Sequence, residues 1–152
     1  MKRFLPDEAA TIAFAREMLD ALPDDLAGWT LLLSGELGAG KSTFARAFIR
    51  AAGHTGPVPS PTYTLVEPYD LPRGSIYHVD LYRVSSEDEL RYLGWNELDR
   101  GCRLVEWPDR APGLTSQADL SLVLCYEGEG RSVEVTALSN RAQKVSVTLN
   151  RV

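Results

Sequence analysis

From Ala9 to Leu22 the apolar side chains Ile12, Phe14, Ala15, Met18, Leu19 and Leu22 recur at the spacing of one helix face. Asp7 precedes the run as an N-cap, and Glu8 suits a first turn, where the helix dipole favours an acid. Before it, Lys2 to Leu5 reads as a short edge strand that Pro6 stops. After the turn from Pro23 to Gly28 comes an apolar, strand-like run, Trp29 to Leu33. Thr43 to Ala52 is again helical, with Phe44, Ala45, Ala47, Phe48 and Ala51 inward, Arg46 and Arg50 facing elsewhere, and Gly53 as the stop.

The second half changes rhythm. His54 to Pro61 holds Pro57, Pro59 and Pro61, a stiff connection and no helix. Thr64 to Tyr69 and Ser75 to Asp80 are strands around the turn Asp70 to Gly74, which predicts an antiparallel hairpin at a sheet edge. Ser86 to Glu89 form a capping box opening a helix that runs to Gly94, and Trp95 to Leu98 is a further helical turn. A short strand, Gly101 to Glu106, ends at Trp107-Pro108. Asp119 to Tyr126 and Arg131 to Leu138, around the turn Glu127 to Gly130, read as a β-meander. Val145, Val147 and Leu149 also alternate, which predicts a last strand or a frayed terminus. The expected fold is α/β: one domain over residues 1–152, with a mixed parallel/antiparallel sheet flanked by helices and a C-terminal β-meander.

Between the first long strand and its helix lies Gly35-Glu36-Leu37-Gly38-Ala39-Gly40-Lys41-Ser42, which fits the pattern G-x-x-x-x-G-K-[ST] of a phosphate-binding loop. Gly35 and Gly40 let successive N–H groups point at one anion, and the helix behind aims its positive end there. Lys41 can bridge β- and γ-phosphates, and the Ser42 hydroxyl can ligate Mg²⁺. Two apolar strands end in acids, Asp80 and Glu106, the arrangement by which such enzymes hold Mg²⁺ or polarise water. Thr62, just after the proline-rich connection, is a candidate switch hydroxyl, with strand propensity as its plainer explanation. Thr11 is either a solvent-facing helix residue or a nucleotide contact. His78 shares a strand face with Asp80 and is more readily a hydrogen-bonded packing residue than a base. Arg83 either approaches phosphate or an acid or is solvated, and Trp107 either stacks on a base or partner or packs.

Composition narrows the partners. The 152 residues carry 21 acidic and 16 Lys or Arg side chains, a net charge of −5, and the basic groups are dispersed. Autonomous tRNA or DNA binding normally rests on a basic surplus, so it is not expected here. No apolar run approaches the roughly 20 residues of a membrane helix, and the N-terminus lacks a signal-peptide pattern, so a cytoplasmic protein is expected. Cys102 and Cys125 match no metal spacing and read as free, small core residues.

Taken in order, G-E-L-G-A-G-K-S-T, S-P-T-Y-T-L-V, Y-H-V-D-L-Y-R and L-V-E-W-P resemble the bacterial TsaE family, the ATPase of tRNA threonylcarbamoyladenosine biosynthesis, from about Thr11 to Arg131. The resemblance implies a phosphate-loop domain with weak intrinsic ATPase activity. It also implies ATP and Mg²⁺ as cofactors and the TsaD–TsaB complex as partner, with tRNA met only through that complex. By the same resemblance Gly38, Ala39, Gly40, Lys41, Ser42 and Thr43 form the nucleotide loop, with Ser42 on Mg²⁺. Glu106 is then the second metal-associated acid and Asp80 the acid near the γ-phosphate, while Thr11, Asp109 and Arg131 fall at nucleotide contacts. Two rivals stay open: a phosphate-loop kinase of small molecules, and a nucleotide-dependent interaction module with incidental hydrolysis.

Overall fold

The unbroken run Leu31-Leu32-Leu33 lies at the centre of the sheet, where both faces are covered. The computed structural model describes residues 1–151. In chain order its elements are β1 (Lys2–Leu5), α1 (Glu8–Ala21), β2 (Thr30–Ser34), α2 (Lys41–Ala51), β3 (Val66–Tyr69) and β4 (Ile76–Asp80). They continue with β5 (Cys102–Glu106), β6 (Leu120–Glu127), β7 (Gly130–Ala137) and α3 (Gln143–Asn150). The seven strands form one sheet in the order β1-β7-β6-β2-β5-β4-β3. Four central strands, β4, β5, β2 and β6, run parallel, and β3, β7 and β1 add antiparallel edges.

Each central strand sends alternate residues to two cores. Leu31, Leu33 and Leu104 join Phe14, Phe44 and Phe48 beneath the α-helices. Leu32, Val79 and Val105 meet Leu81, Trp95 and Leu114 on the opposite face, which short 3₁₀ segments cover. Asp7 caps α1 as expected, its Oδ1 accepting from the Ala10 N–H at 2.8 Å. The β3–β4 hairpin is antiparallel and occupies the sheet edge, as its turn sequence implied.

Several expectations need correction. The alternation at Val145, Val147 and Leu149 is not a strand: Val145 and Leu149, four apart, are buried on one face of α3, while Val147 is exposed. A short V-x-V-x-L pattern satisfies both periods, and packing against the first core decides in favour of helix. The C-terminal meander is therefore the β6–β7 hairpin, extended by β1. Residues 87–93 and 95–100 wind as 3₁₀ turns and not as an α-helix. Ser86 does accept from the Asp88 N–H, but Glu89 reaches back to Ser85. Cys102 is buried and its thiol is pushed up to about 12 by burial, whereas Cys125 is exposed and not a core residue. Among the described residues no helix is long and apolar enough to cross a membrane.

One buried carboxylate ties the start of β2 and the segment leading into α3 to the start of β6. Asp119, just before β6, accepts from the Thr30 N–H at 3.0 Å, from Ser139 Oγ at 2.7 Å and from Arg141 Nε at 2.8 Å. Burial alone would raise its pKa, but the hydrogen bonds from Arg141, Ser139 and Thr30 outweigh that and hold it below the ordinary 3.8. A lowered folded value means that this contribution to stability is complete above 3.8 and drains away as pH falls through the folded value. Asp119→Ala should cost about 2 kcal/mol at neutral pH and flatten the acid limb of the stability profile, measured by urea unfolding across acidic pH. Leu149→Ala should cost about 2–3 kcal/mol and Val147→Ala less than about 0.5, which the same unfolding curves would separate. Equal costs would contradict a helical C-terminus.

Candidate functional site

The loop from Gly35 to Gly40 bends tightly between β2 and α2. Gly35 has φ +146°, and a Cβ there would collide with the Leu124 carbonyl oxygen of β6, so a side chain would push the loop off the sheet. Gly40, at φ +108°, caps α2 in the left-handed region without any side-chain hydrogen bond. The first N–H groups of α2 therefore have no capping side chain, and with the helix dipole they favour an anion.

Lys41 opens α2 and is only 5% exposed. Its Nζ donates to the carbonyls of Gly35 and Glu36, the latter at 3.0 Å, and lies 4.1 Å from the centre of the Trp107 ring. Burial lowers its pKa from the ordinary lysine value, opposed by the negative charges of Glu106, Asp80 and Asp109. A buried ammonium held by carbonyls and an aromatic face is ready to exchange them for a stronger anion.

The two acids arrive side by side. Asp80 and Glu106 are register partners at the C-terminal tips of parallel β4 and β5, and both are buried. Glu106 accepts from Ser42 Oγ at 3.3 Å on one oxygen, and its other oxygen lies 2.6 Å from His78 Nε2. Asp80 accepts from Thr62 Oγ1 at 3.2 Å and from the Tyr82 N–H at 2.9 Å, and Thr62 meets Ser60 Oγ at 2.7 Å. Among the described residues the non-glycine left-handed positions are Leu65 and Trp107. Leu65 supplies the carbonyl that accepts from the Asp80 N–H, and Trp107 follows Glu106, so the strained backbone flanks the acids.

These groups enclose one cavity of about 290 Å³. Its walls are Leu37, Gly38, Gly40, Lys41, Ser42 and Thr43 from the loop and α2, with Ser60, Thr62, Asp80, Tyr82, Glu106 and Trp107 opposite. Gly38, Gly40 and Thr43 also border an adjoining hollow of about 220 Å³ that contains Thr11 and Arg131. Thr11 is 3% exposed, so it does not face solvent but the hollow. Arg131 donates to the Gly38 carbonyl at 3.1 Å. Ala39 is buried beneath the loop. Asp109 stands apart: it is exposed and lines a different cavity with Ser34 and Ser121, reaching Lys41 through its charge. Arg83 lies over the Tyr63 ring, 5.1 Å from its centre, and pairs with no acid among the described residues.

Sequence reasoning undervalued three residues here. His78 is in hydrogen-bond contact with Glu106, Ser60 holds Thr62, and Tyr82 lines the cavity. His78 left a signal in its alternation with Asp80 along β4, and Ser60 in the hydroxyl-bearing stretch that follows the proline-rich connection. The donor set suits a hard cation: Ser42, Thr62, Asp80 and Glu106 offer oxygens. Among the described residues no three His, Cys, Asp or Glu side chains gather into a dedicated cage. Few protein ligands beside a phosphate loop is the pattern of Mg²⁺ held partly by substrate phosphates.

The chain is similar to known proteins in both sequence and fold. The family model described as threonylcarbamoyl adenosine biosynthesis protein TsaE matches residues 5–133. A tRNA threonylcarbamoyladenosine biosynthesis protein TsaE from Haemophilus influenzae is 33% identical over 95% of this chain and 94% of its own. Its namesake from Bacillus subtilis is 36% identical over 96% and 90%. The crystal structure of YdiB from Bacillus subtilis superposes with a TM-score of 0.78, at 28% identity, over 99% of this chain and 94% of that one. A match over most of the length in sequence and in fold, with the phosphate loop and its two acids in place, makes this chain a member of the TsaE family of tRNA threonylcarbamoyladenosine biosynthesis.

Proposed function

We propose that the chain is a Mg²⁺-dependent ATPase, a single domain over residues 1–152 that works in the cytoplasm by cycling the TsaD–TsaB threonylcarbamoyl transferase complex. The observation that carries this reading is that Lys41, Ser42, Thr62, Asp80 and Glu106 border one cavity at the end of an uncapped helix. Bound Mg-ATP supplies the phosphoryl group and the counter-charge that this cavity is built to receive. Lys41, which donates to the Gly35 and Glu36 carbonyls, and the first N–H groups of α2 would hold the phosphates. Ser42 and Glu106 would hold the cation, with His78 fixing the second Glu106 oxygen. Asp80, fixed by Thr62 and the Tyr82 N–H, orients the attacking water and takes its proton. Thr11 and Arg131, in the adjoining hollow, would contact the remainder of the nucleotide.

Turnover is slow in isolation on this reading. Among the cavity-lining residues Lys41 is the only cation, and no arginine reaches the place where charge develops in the transition state. The partner complex closes or completes the site, as the acidic balance of the chain favours contact with protein over independent binding of tRNA.

Reconstituted tRNA modification by TsaD–TsaB should require this protein, and Lys41→Ala should abolish that requirement's fulfilment while circular dichroism reports an intact fold. Full modification without the chain would remove the proposed role. Asp80→Asn should lower kcat for ATP about a hundredfold with the Mg²⁺ requirement unchanged. Glu106→Gln should chiefly raise the Mg²⁺ concentration needed for half-maximal rate. Titrations showing the reverse pattern would exchange the two roles.

A further inference from the structure

Away from the cavity, α1 and α2 carry a second concentration of charge. Arg16 on α1 and Arg46 and Arg50 on α2 line a groove of about 160 Å³ together with Ile12, Ala47 and Thr43. None of the three arginines forms an ion pair among the described residues, whereas Arg3 pairs with Glu17 and Arg141 with Asp119. Ile12 is 48% exposed on the same groove. Spacing explains the assembly: Ile12 and Arg16, and likewise Arg46 and Arg50, are four apart and so share a helix face. In a chain with net charge −5, three unpaired guanidinium groups on one groove run against the overall balance.

We propose that this groove docks an acidic protein segment, whose carboxylates meet Arg16, Arg46 and Arg50 while an apolar side chain covers Ile12 and Ala47. The proposal rests on the partner reading above, and assigns the segment to the TsaD–TsaB complex. Three features favour protein over RNA. Ile12, half exposed, and Ala47 line the groove beside the arginines and give an apolar side chain something to cover that a phosphate backbone would leave bare. The guanidinium forks can take carboxylates two bonds at a time, and the net charge of −5 disfavours autonomous binding of nucleic acid. The position also gives docking a route to the nucleotide. Thr43 borders this groove, the main cavity and the adjoining hollow alike, so an occupant presses on the first turn of the helix that begins at Lys41.

The test compares wild type with Arg16→Glu/Arg46→Glu/Arg50→Glu for binding to purified TsaD–TsaB in the presence of ATP, by calorimetry at low and high salt. The charge-reversed protein should bind the complex at least about tenfold more weakly, and wild-type affinity should fall with salt. ATP affinity of the isolated proteins, measured in parallel, should not differ. Arg16→Gln/Arg50→Gln, at exposed positions, should lose about threefold and carries the test if the triple variant unfolds. Unchanged affinity for the complex in these variants overturns the docking site while leaving the partner reading intact. Failure of wild type itself to bind the complex removes the partner reading and the docking site together. Loss of tRNA binding with complex affinity retained would reassign the groove to RNA and overturn the proposal.

Discussion

Everything at the site depends on parallel strands held in register. β2 delivers the glycine loop, β5 beside it delivers Glu106 opposite Leu33, and β4 delivers Asp80 opposite Glu106. Because the three strands run the same way, their C-terminal tips open at one edge of the sheet, where α2 also begins. A slip of one residue in β5 would turn Glu106 to the other face and bring an apolar neighbour to Ser42. The apolar filling of both cores makes that slip costly, since Leu104 and Val105 would exchange sides. Packing far from the cavity thus fixes the spacing of its charges.

Electrostatics at the site centres on one buried ammonium beside two buried carboxylates. Lys41 is buried, with its pKa lowered by desolvation against the pull of three acids, and it rests on carbonyls and an indole ring. Asp80 and Glu106 are buried next to each other, each satisfied by hydroxyls, a backbone N–H or a histidine. Every strong group therefore has a partner, yet the N-terminus of α2 has none from a side chain. Phosphate is the group that would satisfy the helix end and Lys41 together.

How much of this could be read from the chain alone follows from where the information is local. The phosphate loop, its helix, the β3–β4 hairpin and both acid-tipped strands were legible because glycine, proline and strand periodicity act over a few residues. The C-terminal helix was not, since Val145, Val147 and Leu149 fit either period and only burial of the first and last decides. The bond between His78 and Glu106 crosses two strands, so no spacing within either could announce it. Helix position alone left Thr11 open between solvent and a nucleotide contact, and the approach of Arg131 and the loop is what encloses it. Asp109 shows the converse, a residue close in sequence to Glu106 that the 3₁₀ turn at 108–110 carries into a neighbouring cavity.

The contact between Gly35 and the Leu124 carbonyl has a mechanical consequence. With no side chain between them, the phosphate loop rides directly on β6, and farther along Tyr126 and Arg131 grip the carbonyls of Leu37 and Gly38. The β6–β7 ribbon thereby braces the loop from one side of β2. A side chain at Gly35 or loss of the Tyr126 and Arg131 contacts would therefore disturb the loop from the β6 flank, while the acid-bearing strands lie on the other flank of β2.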